Sequence, residues 1–181
     1  MVWNIIAVIA LVVAMLTIPQ MILGKPKILV DTSVNIQDNY TILGCTIKNL
    51  IITNKYLKRL GVRRFAADLI AHFQIYAIRE NGKGTLVSEE TPCLWTTFGR
   101  NNKDDGRHIS LPSSPVPASF TVVTYLAETE EVKTNEENIT LLPGHYYVRI
   151  QITVDGDDIR RLYYFDVLDE HPFVSWVLGN N

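Results

Sequence analysis

The sequence lacks the residue patterns on which most enzyme chemistry depends. Its four histidines, at positions 72, 108, 145 and 171, form no H-x-x-x-H or H-E-x-x-H arrangement. No serine lies in a G-x-S-x-G context, and no glycine-rich phosphate-binding loop is present. The acidic stretch at residues 155–158 lacks the length and terminal Glu of an EF-hand loop, so we interpret it as a hairpin turn. The sequence therefore predicts a non-enzymatic protein with no metal and no cofactor.

Cysteine is also scarce. The two cysteines, Cys45 and Cys93, are too few to define a disulfide framework. Cys45 alternates with Leu43 and Ile47 in an apolar pattern, which predicts a small core residue. A disulfide between the two remains open and would require an oxidising compartment.

Charge is absent from residues 2–23, which read VWNIIAVIALVVAMLTIPQMIL. As a helix this run would be about 30 Å long, close to the thickness of a bilayer's hydrocarbon core. It therefore predicts one transmembrane helix at residues 1–24, followed by a short linker at 25–27. A cleaved signal peptide and a buried helix of a soluble protein are the alternatives. The run has no basic N-terminal region and no A-x-A cleavage site, which disfavours the signal peptide.

The rest of the chain alternates with a period of two, which is typical of β-strands. The clearest case is residues 145–154, and an Asp- and Gly-containing turn separates it from a second strand at 159–167. We predict a register in which Val154 faces Ile159, so that Val148 faces Phe165 and Tyr146 faces Val167. Many short strands separated by turn residues predict an all-β antiparallel sandwich of about seven to nine strands over residues 28–170.

The alternation also predicts which side chains form the core. A third strand is expected to turn Phe120, Val122, Thr124 and Leu126 to one face. The predicted core consists of Leu43, Cys45, Ile47, Leu69, Phe73, Ile75, Phe120, Val122, Val148, Ile150 and Phe165.

Three segments resemble the B, C, F and G strands of an immunoglobulin-like sandwich. They are GCTIKN at 44–49, RRFAADLIAHFQI at 63–75 and LPGHYYVRIQITVDGDDIRRLYYFDV at 142–167. The resemblance is to the CARDB-like or fibronectin-like modules of prokaryotic membrane-anchored proteins, and it rests on Asn49, Ala67 and the phrase at residues 142–146. It implies a module that binds or spaces other proteins. The chain departs from the pattern at residues 51–62, where a short turn would be expected.

Charge is divided unevenly along the chain, although the net charge is −2. Residues 25–64 hold eight basic and two acidic residues, whereas residues 128–137 hold five Glu and one Lys. If the first two strands are antiparallel neighbours, the basic connection at 50–64 returns to the membrane and the acidic one lies far from it. Solvated loops are the simpler interpretation of both. The predicted membrane-surface contacts are Lys25, Lys27, Lys55, Lys58, Arg59, Arg63 and Arg64.

The C-terminal tail at residues 171–181 is unusually apolar. It contains Phe173, Trp176 and Leu178, whereas a free tail is normally polar. One interpretation is that it folds back as an edge segment that covers the sandwich. The other is that these three residues contact a partner subunit, with Trp176 as a buried anchor.

Together these features predict a membrane-anchored, single-pass, non-enzymatic β-sandwich interaction module, such as an accessory subunit of a membrane protein complex. The alternative is a small-ligand-binding domain or an enzyme whose site is built from unrecognised loops. The predicted partners are the lipid bilayer and another membrane protein, with no nucleic acid. Lys25 and Lys27 favour a cytosolic β-domain by the positive-inside rule, whereas the family resemblance favours the outside.

Overall fold

The computed structural model has a helical N-terminus followed by two facing antiparallel β-sheets. It describes residues 2–23, 25–37, 39–50, 55–59, 64–95, 108–112, 117–135, 138–170 and 173–177. The helices are α1 (Val2–Leu23) and α2 (Lys55–Arg59). The strands are β1 (Ile28–Gln37), β2 (Tyr40–Asn49), β3 (Phe65–Ile78), β4 (Gly84–Pro92), β5 (His108–Pro112), β6 (Ala118–Leu126), β7 (Glu131–Thr134), β8 (Thr140–Leu141), β9 (Gly144–Val154), β10 (Asp157–Val167) and β11 (Val174–Val177).

The first sheet has the order β1-β2-β6-β7-β8, and the second has the order β11-β10-β9-β3-β4, with β5 also paired to β3. The all-β antiparallel sandwich is therefore confirmed. The structure describes eleven strands where seven to nine were expected. The additional strands are short, since β7, β8 and β11 have four, two and four residues.

The core lies between the two sheets and contains all eleven residues of the predicted core. All eleven side chains of that predicted core are at most 1% exposed. The aromatic members come from three strands, with Phe73 on β3, Phe120 on β6 and Phe165 on β10. Period-two alternation was thus sufficient to identify these core residues.

The predicted face of the β6 strand is wrong beyond Val122. Leu43 pairs with Val123 while Gly44 pairs with Thr121, so Val122 is an extra residue in β6 and forms a β-bulge. The bulge reverses the alternation, so that Val123 and Tyr125 are buried and Leu126 is exposed. Gly44 permits the close approach, because a Cβ there would lie 2.5 Å from the carbonyl oxygen of Phe120.

The β9–β10 hairpin is confirmed, but its predicted register is wrong by two residues. Val154 pairs with Asp157, and Tyr146 pairs with Phe165 rather than with Val167. Asp155 and Gly156 both have positive φ, at 48° and 87°, which is the type I′ geometry that an Asp-Gly pair favours in a two-residue turn. A shift of two residues keeps every side chain on its predicted face.

The N-terminal segment is helical, as predicted, over Val2–Leu23. Within the described residues, however, no helix is found that is both long and apolar enough to cross a membrane. The predicted transmembrane span at residues 1–24 is therefore not supported by the structure.

Removing an aromatic ring from the core should strongly destabilise the sandwich. We expect Phe73→Ala and Phe165→Ala each to lower the free energy of unfolding by about 3–5 kcal/mol, because each ring is fully buried and leaves a cavity. Chemical denaturation of the full chain in detergent measures this loss. Leu86→Ala, on the exposed outer face, is the control and should cost at most about 0.5 kcal/mol. Equal losses for core and control would contradict the packing described.

Candidate functional site

One end of the sandwich, which we call the proximal end, joins the start of β1, the end of β2 and the start of β3. The Leu50 amide donates a 2.9 Å hydrogen bond to the Lys27 carbonyl oxygen. The Lys27 amide donates to Asn49 Oδ1 at 3.1 Å, and Arg64 Nη1 donates to the Leu50 carbonyl oxygen at 3.1 Å. The linker after α1 is therefore tied to the start of the basic connection at residues 50–64, and Arg64 ties the end of that connection to its start.

The structure brings several of the predicted membrane-surface residues to this end. Lys25 and Lys27 are exposed in the linker, and Arg64 is half-buried at the start of β3. Lys55 and Arg59 are exposed on α2, within the connection whose two ends are joined there. Lys58 lies in α2, but its side chain is outside the described residues, as is all of Arg63.

The acidic connection lies at the opposite, distal end, as predicted. β6 runs antiparallel to β2, which places Leu126 beside Tyr40, and the Ala127 amide donates to the Asn39 carbonyl oxygen at 2.9 Å. Glu131 forms an ion pair with Lys133 at 2.6 Å, and the hydrogen bond from Lys133 lowers the pKa of the Glu131 carboxyl. The ten residues of β2 separate the two ends by about 30 Å. Glu136 and Glu137 lie outside the described residues.

The C-terminal tail packs against the sandwich. β11 pairs with β10, which places Trp176 opposite Phe165, and Trp176 Nε1 donates to the Ser33 carbonyl oxygen of β1 at 2.9 Å. Phe173 stacks on Tyr125 with ring centroids 4.2 Å apart. The described tail is therefore the fold-back edge segment that the sequence allowed. A partner role for Phe173 and Trp176 stays a prediction, and Leu178 lies outside the described residues.

The acidic turn and the histidines do not assemble a metal site in the described part of the chain. Asp158 accepts hydrogen bonds from Gln151 Nε2 at 2.9 Å and Thr153 Oγ1 at 2.7 Å, so it braces the hairpin. His145 Nδ1 lies 2.7 Å from Asp166 Oδ1 on the outer face of the second sheet. Among these described residues, no group of three His, Cys, Asp or Glu could hold a metal ion. Cys45 and Cys93 are both buried and are not joined by a disulfide. Burial raises the pKa of the Cys45 thiol.

An aromatic row crosses the outer face of the second sheet. One residue from each of five strands contributes to it, and in order across the sheet these are Val177, Tyr164, Tyr147, Tyr76 and Leu86. The rings of Tyr76 and Tyr147 stack at 4.7 Å, and the Arg149 guanidinium carbon lies 5.2 Å from the Tyr76 ring centroid. Tyr147 also lies over Gly84, where a Cβ would overlap its ring.

This row could not be predicted from the sequence, because it depends on cross-strand register. Alternation placed Tyr147 on the wetter face of its strand, but it could not show which residues stood beside it. The stacking leaves Tyr76 covered by Arg149 and Tyr147, so these rings mainly brace the sheet.

The edge of the first sheet is formed by β1. Because the Leu50 amide bonds to the Lys27 carbonyl and the two residues continue the β1–β2 register, the odd-numbered residues of β1 direct their backbone groups to β2. The even-numbered residues direct theirs outwards. The outward-directed Val30 carbonyl oxygen accepts a hydrogen bond from Tyr163 Oη at 2.9 Å. The Ser33 carbonyl oxygen, which faces β2, accepts an additional one from Trp176 Nε1. Two apolar side chains further along β1, Val34 and Ile36, are 49% and 58% exposed.

No family model and no curated protein matches this chain.

Trp176 should stabilise the sandwich by joining its two sheets. We expect Trp176→Phe to lower the free energy of unfolding by about 1 kcal/mol or more, because the ring remains but the hydrogen bond to Ser33 is lost. Deleting residues 172–181 should cost more, since β11 and its aromatic contacts are removed. Thermal unfolding of the full chain measures both losses, and Val177→Ala is the exposed control on the same strand. An unchanged melting temperature after the deletion would contradict the packing of the tail.

Tyr163 should make the fold sensitive to alkaline pH. Burial raises the pKa of its phenol to about 12, with Cys45 and Asp31 acting in the same direction and Arg161 opposing them. Because the folded pKa exceeds the unfolded value of about 10, this contribution to stability is present below pH 10 and is lost as the pH rises towards 12. Urea denaturation between pH 8 and 11.5 should show a steeper loss for the wild type than for Tyr163→Phe. Parallel curves would show that the phenol does not contribute.

Proposed function

We propose that this chain is a non-enzymatic, membrane-anchored interaction module with an immunoglobulin-like β-sandwich. The observation that carries the proposal is the surface of α1. Its described large apolar side chains are 50–63% exposed and lie on every side of the helix. A helix that is apolar all round is stable when it is surrounded by protein or by lipid.

The polar groups of α1 fit a lipid environment as well. Thr17 Oγ1 donates a 2.8 Å hydrogen bond to the Val13 carbonyl oxygen one turn earlier. Within hydrocarbon, polar groups must be satisfied inside the segment, because no water is present to bind them. No Asp, Glu, Lys or Arg occurs between Val2 and Leu23. These features favour a retained membrane span.

The proximal end suits a position at the membrane surface. Lys25 and Lys27 follow α1 directly, and hydrogen bonds tie the linker to the connection that contains α2. Exposed cations near an anionic surface contribute about 1 kcal/mol each. The Asp155–Gly156 turn joins the end of β9 to the start of β10. Because β9 ends beside the start of β3, this turn also lies at the proximal end. The two lysines favour a cytosolic sandwich.

The immunoglobulin-like assignment draws support from strand order and from one tyrosine. The order β1-β2-β6 in one sheet and β10-β9-β3-β4 in the other corresponds to A-B-E and G-F-C-C′. Tyr146, at the start of the F-like strand, donates a 2.6 Å hydrogen bond from its hydroxyl to the Leu142 carbonyl oxygen. This is the geometry of a tyrosine corner. Fold analogy is the basis for assigning the module to protein binding.

Membrane extraction tests the anchor. After expression in cells, the full chain should remain in the membrane fraction through a wash at high pH and high salt, because apolar burial rather than charge holds it there. The double variant Val8→Lys/Val12→Lys should be released, since a charged residue at the centre of a span costs about 3 kcal/mol. Val34→Lys/Ile36→Lys, which places the same charges on β1, is the matched control and should stay bound. Release of the wild-type chain by the wash would refute the anchor.

A further inference from the structure

We propose that the free edge of β1 binds an extended strand of a partner protein, which adds to the first sheet in antiparallel orientation with acidic residues beside Lys25 and Lys27. This names the partner chemistry of the interaction module and rests on that proposed function. The site is separate from the tail, because Phe173 and Trp176 are engaged within the sandwich.

The described sheet edges differ in how well they resist pairing. β8, β11 and β5 have two, four and five residues, so none of them offers a long template. β4 has irregular pairing and carries Glu89, Glu90 and Pro92, which are features that protect an edge. β1 has ten residues in unbroken register, and it contains no proline, no lysine and no bulge. It is therefore the described edge best suited to accept another strand.

The backbone of β1 is oriented for this pairing. The even-numbered residues direct their N–H and C=O groups away from β2, as the Lys27–Leu50 bond and the Tyr163–Val30 bond show. Tyr163 uses the edge at Val30. Beyond it, Thr32, Val34 and Ile36 repeat the outward orientation at every second residue. An added strand would complete the ladder at these three positions.

The side chains also provide a place for apolar residues of an incoming strand. Val34 pairs with buried Leu43 and Ile36 pairs with buried Thr41, so both belong to the inner row of the first sheet. They are nevertheless about half exposed, whereas the hydrogen bonds that side chains of the second sheet donate to β1 reach Val30 and Ser33. Apolar side chains at alternate positions of an added strand would extend this inner row and cover both residues.

Charge determines at which end of the antiparallel partner strand acidic residues are expected. Lys25 and Lys27 are exposed where β1 begins, and Asp31 is the one charged residue within β1. At the other end, the acidic β6–β7 connection lies beside the β1–β2 turn. An antiparallel strand ends near the lysines, so acidic residues at its C-terminus are attracted there. At its N-terminus they would instead approach the distal glutamates.

The probe is a fluorescent ten-residue peptide with alternating threonine and valine followed by two C-terminal glutamates. Its binding to the full chain in detergent is measured by anisotropy. Val34→Pro removes an outward N–H without removing a bond to β2, so it should weaken binding about tenfold or more while the fold is retained. Ile36→Lys should weaken peptide binding by a similar factor. If Val34→Pro does not fold, Ile36→Lys tests the proposal instead. Leu86→Lys, on an exposed position of β4, should leave binding within twofold.

Amide hydrogen exchange locates the bound peptide. Binding should protect the amides of Thr32, Val34 and Ile36, while those of Ser33 and Asn35 are already protected by β2. A peptide with its glutamates at the N-terminus should bind several-fold more weakly.

Absence of binding, binding that is insensitive to both β1 variants, or protection at another site would overturn the proposal. Concentration-dependent dimers that Val34→Pro abolishes, without peptide binding, would assign the edge to a second copy of the chain instead. Peptide binding in detergent needs no bilayer, so its failure is distinguishable from failure of the membrane anchor.

Discussion

The pairing of β1 with β2 is the constraint on which the rest of the molecule depends. It begins at Lys27, immediately after the linker, and continues without interruption for ten residues of each strand. Because the pairing is antiparallel, β2 ends beside the linker, and the connection that follows it is held at the proximal end. The same pairing decides which backbone groups of β1 face the neighbouring strand and which face the free edge. The pairing of β1 with β2 therefore determines both where the basic residues lie and which backbone groups of β1 remain at the free edge.

The two sheets are held together along this edge by side chains from the second half of the chain. Tyr163 on β10 and Trp176 on β11 each donate a hydrogen bond to a carbonyl oxygen of β1, at Val30 and Ser33. Trp176 also packs edge-on against Phe165, which is buried in the core. Since these contacts join residues more than 130 positions apart, they join β1 to the second sheet only when the last strands are in place. The C-terminal segment is therefore an integral part of the fold.

The sequence predicts the fold class and the inner faces well, because burial on one side of a strand imposes a period of two. It predicts less well wherever one residue changes the register. Val122 looks like a member of a regular strand, and only its pairing with β2 shows that it is a bulge. The Asp155-Gly156 pair was recognised as a turn, but the two-residue turn type, which sets the hairpin register, was not assigned. The aromatic row could not be predicted from the sequence for a related reason. Its members come from five strands, and neighbours across strands are fixed by tertiary structure rather than by local pattern.

The candidate surfaces were likewise only partly predictable from the sequence. Charge segregation to opposite ends followed from the assumption that the first two strands are antiparallel neighbours, and the structure confirms this arrangement. The free edge of β1 could not be predicted, because whether a strand lies at an edge depends on which strands pair with it in the folded sheet. The sequence analysis did not single out Val34 and Ile36, and their exposure depends on the packing of the two sheets.

The direct connection of α1 to β1 also determines how the sandwich would carry mechanical load. A pull that arrives through residues 25–27 acts along the axis of β1, and the hydrogen bonds that join β1 to β2 lie across that axis. Such a force shears the ladder, so its bonds resist together instead of opening one after another. The hydroxyl of Tyr163 and the indole of Trp176 add two cross-links to the loaded strand from the opposite sheet. A force that arrives through residues 25–27 would therefore be shared along the whole length of one strand.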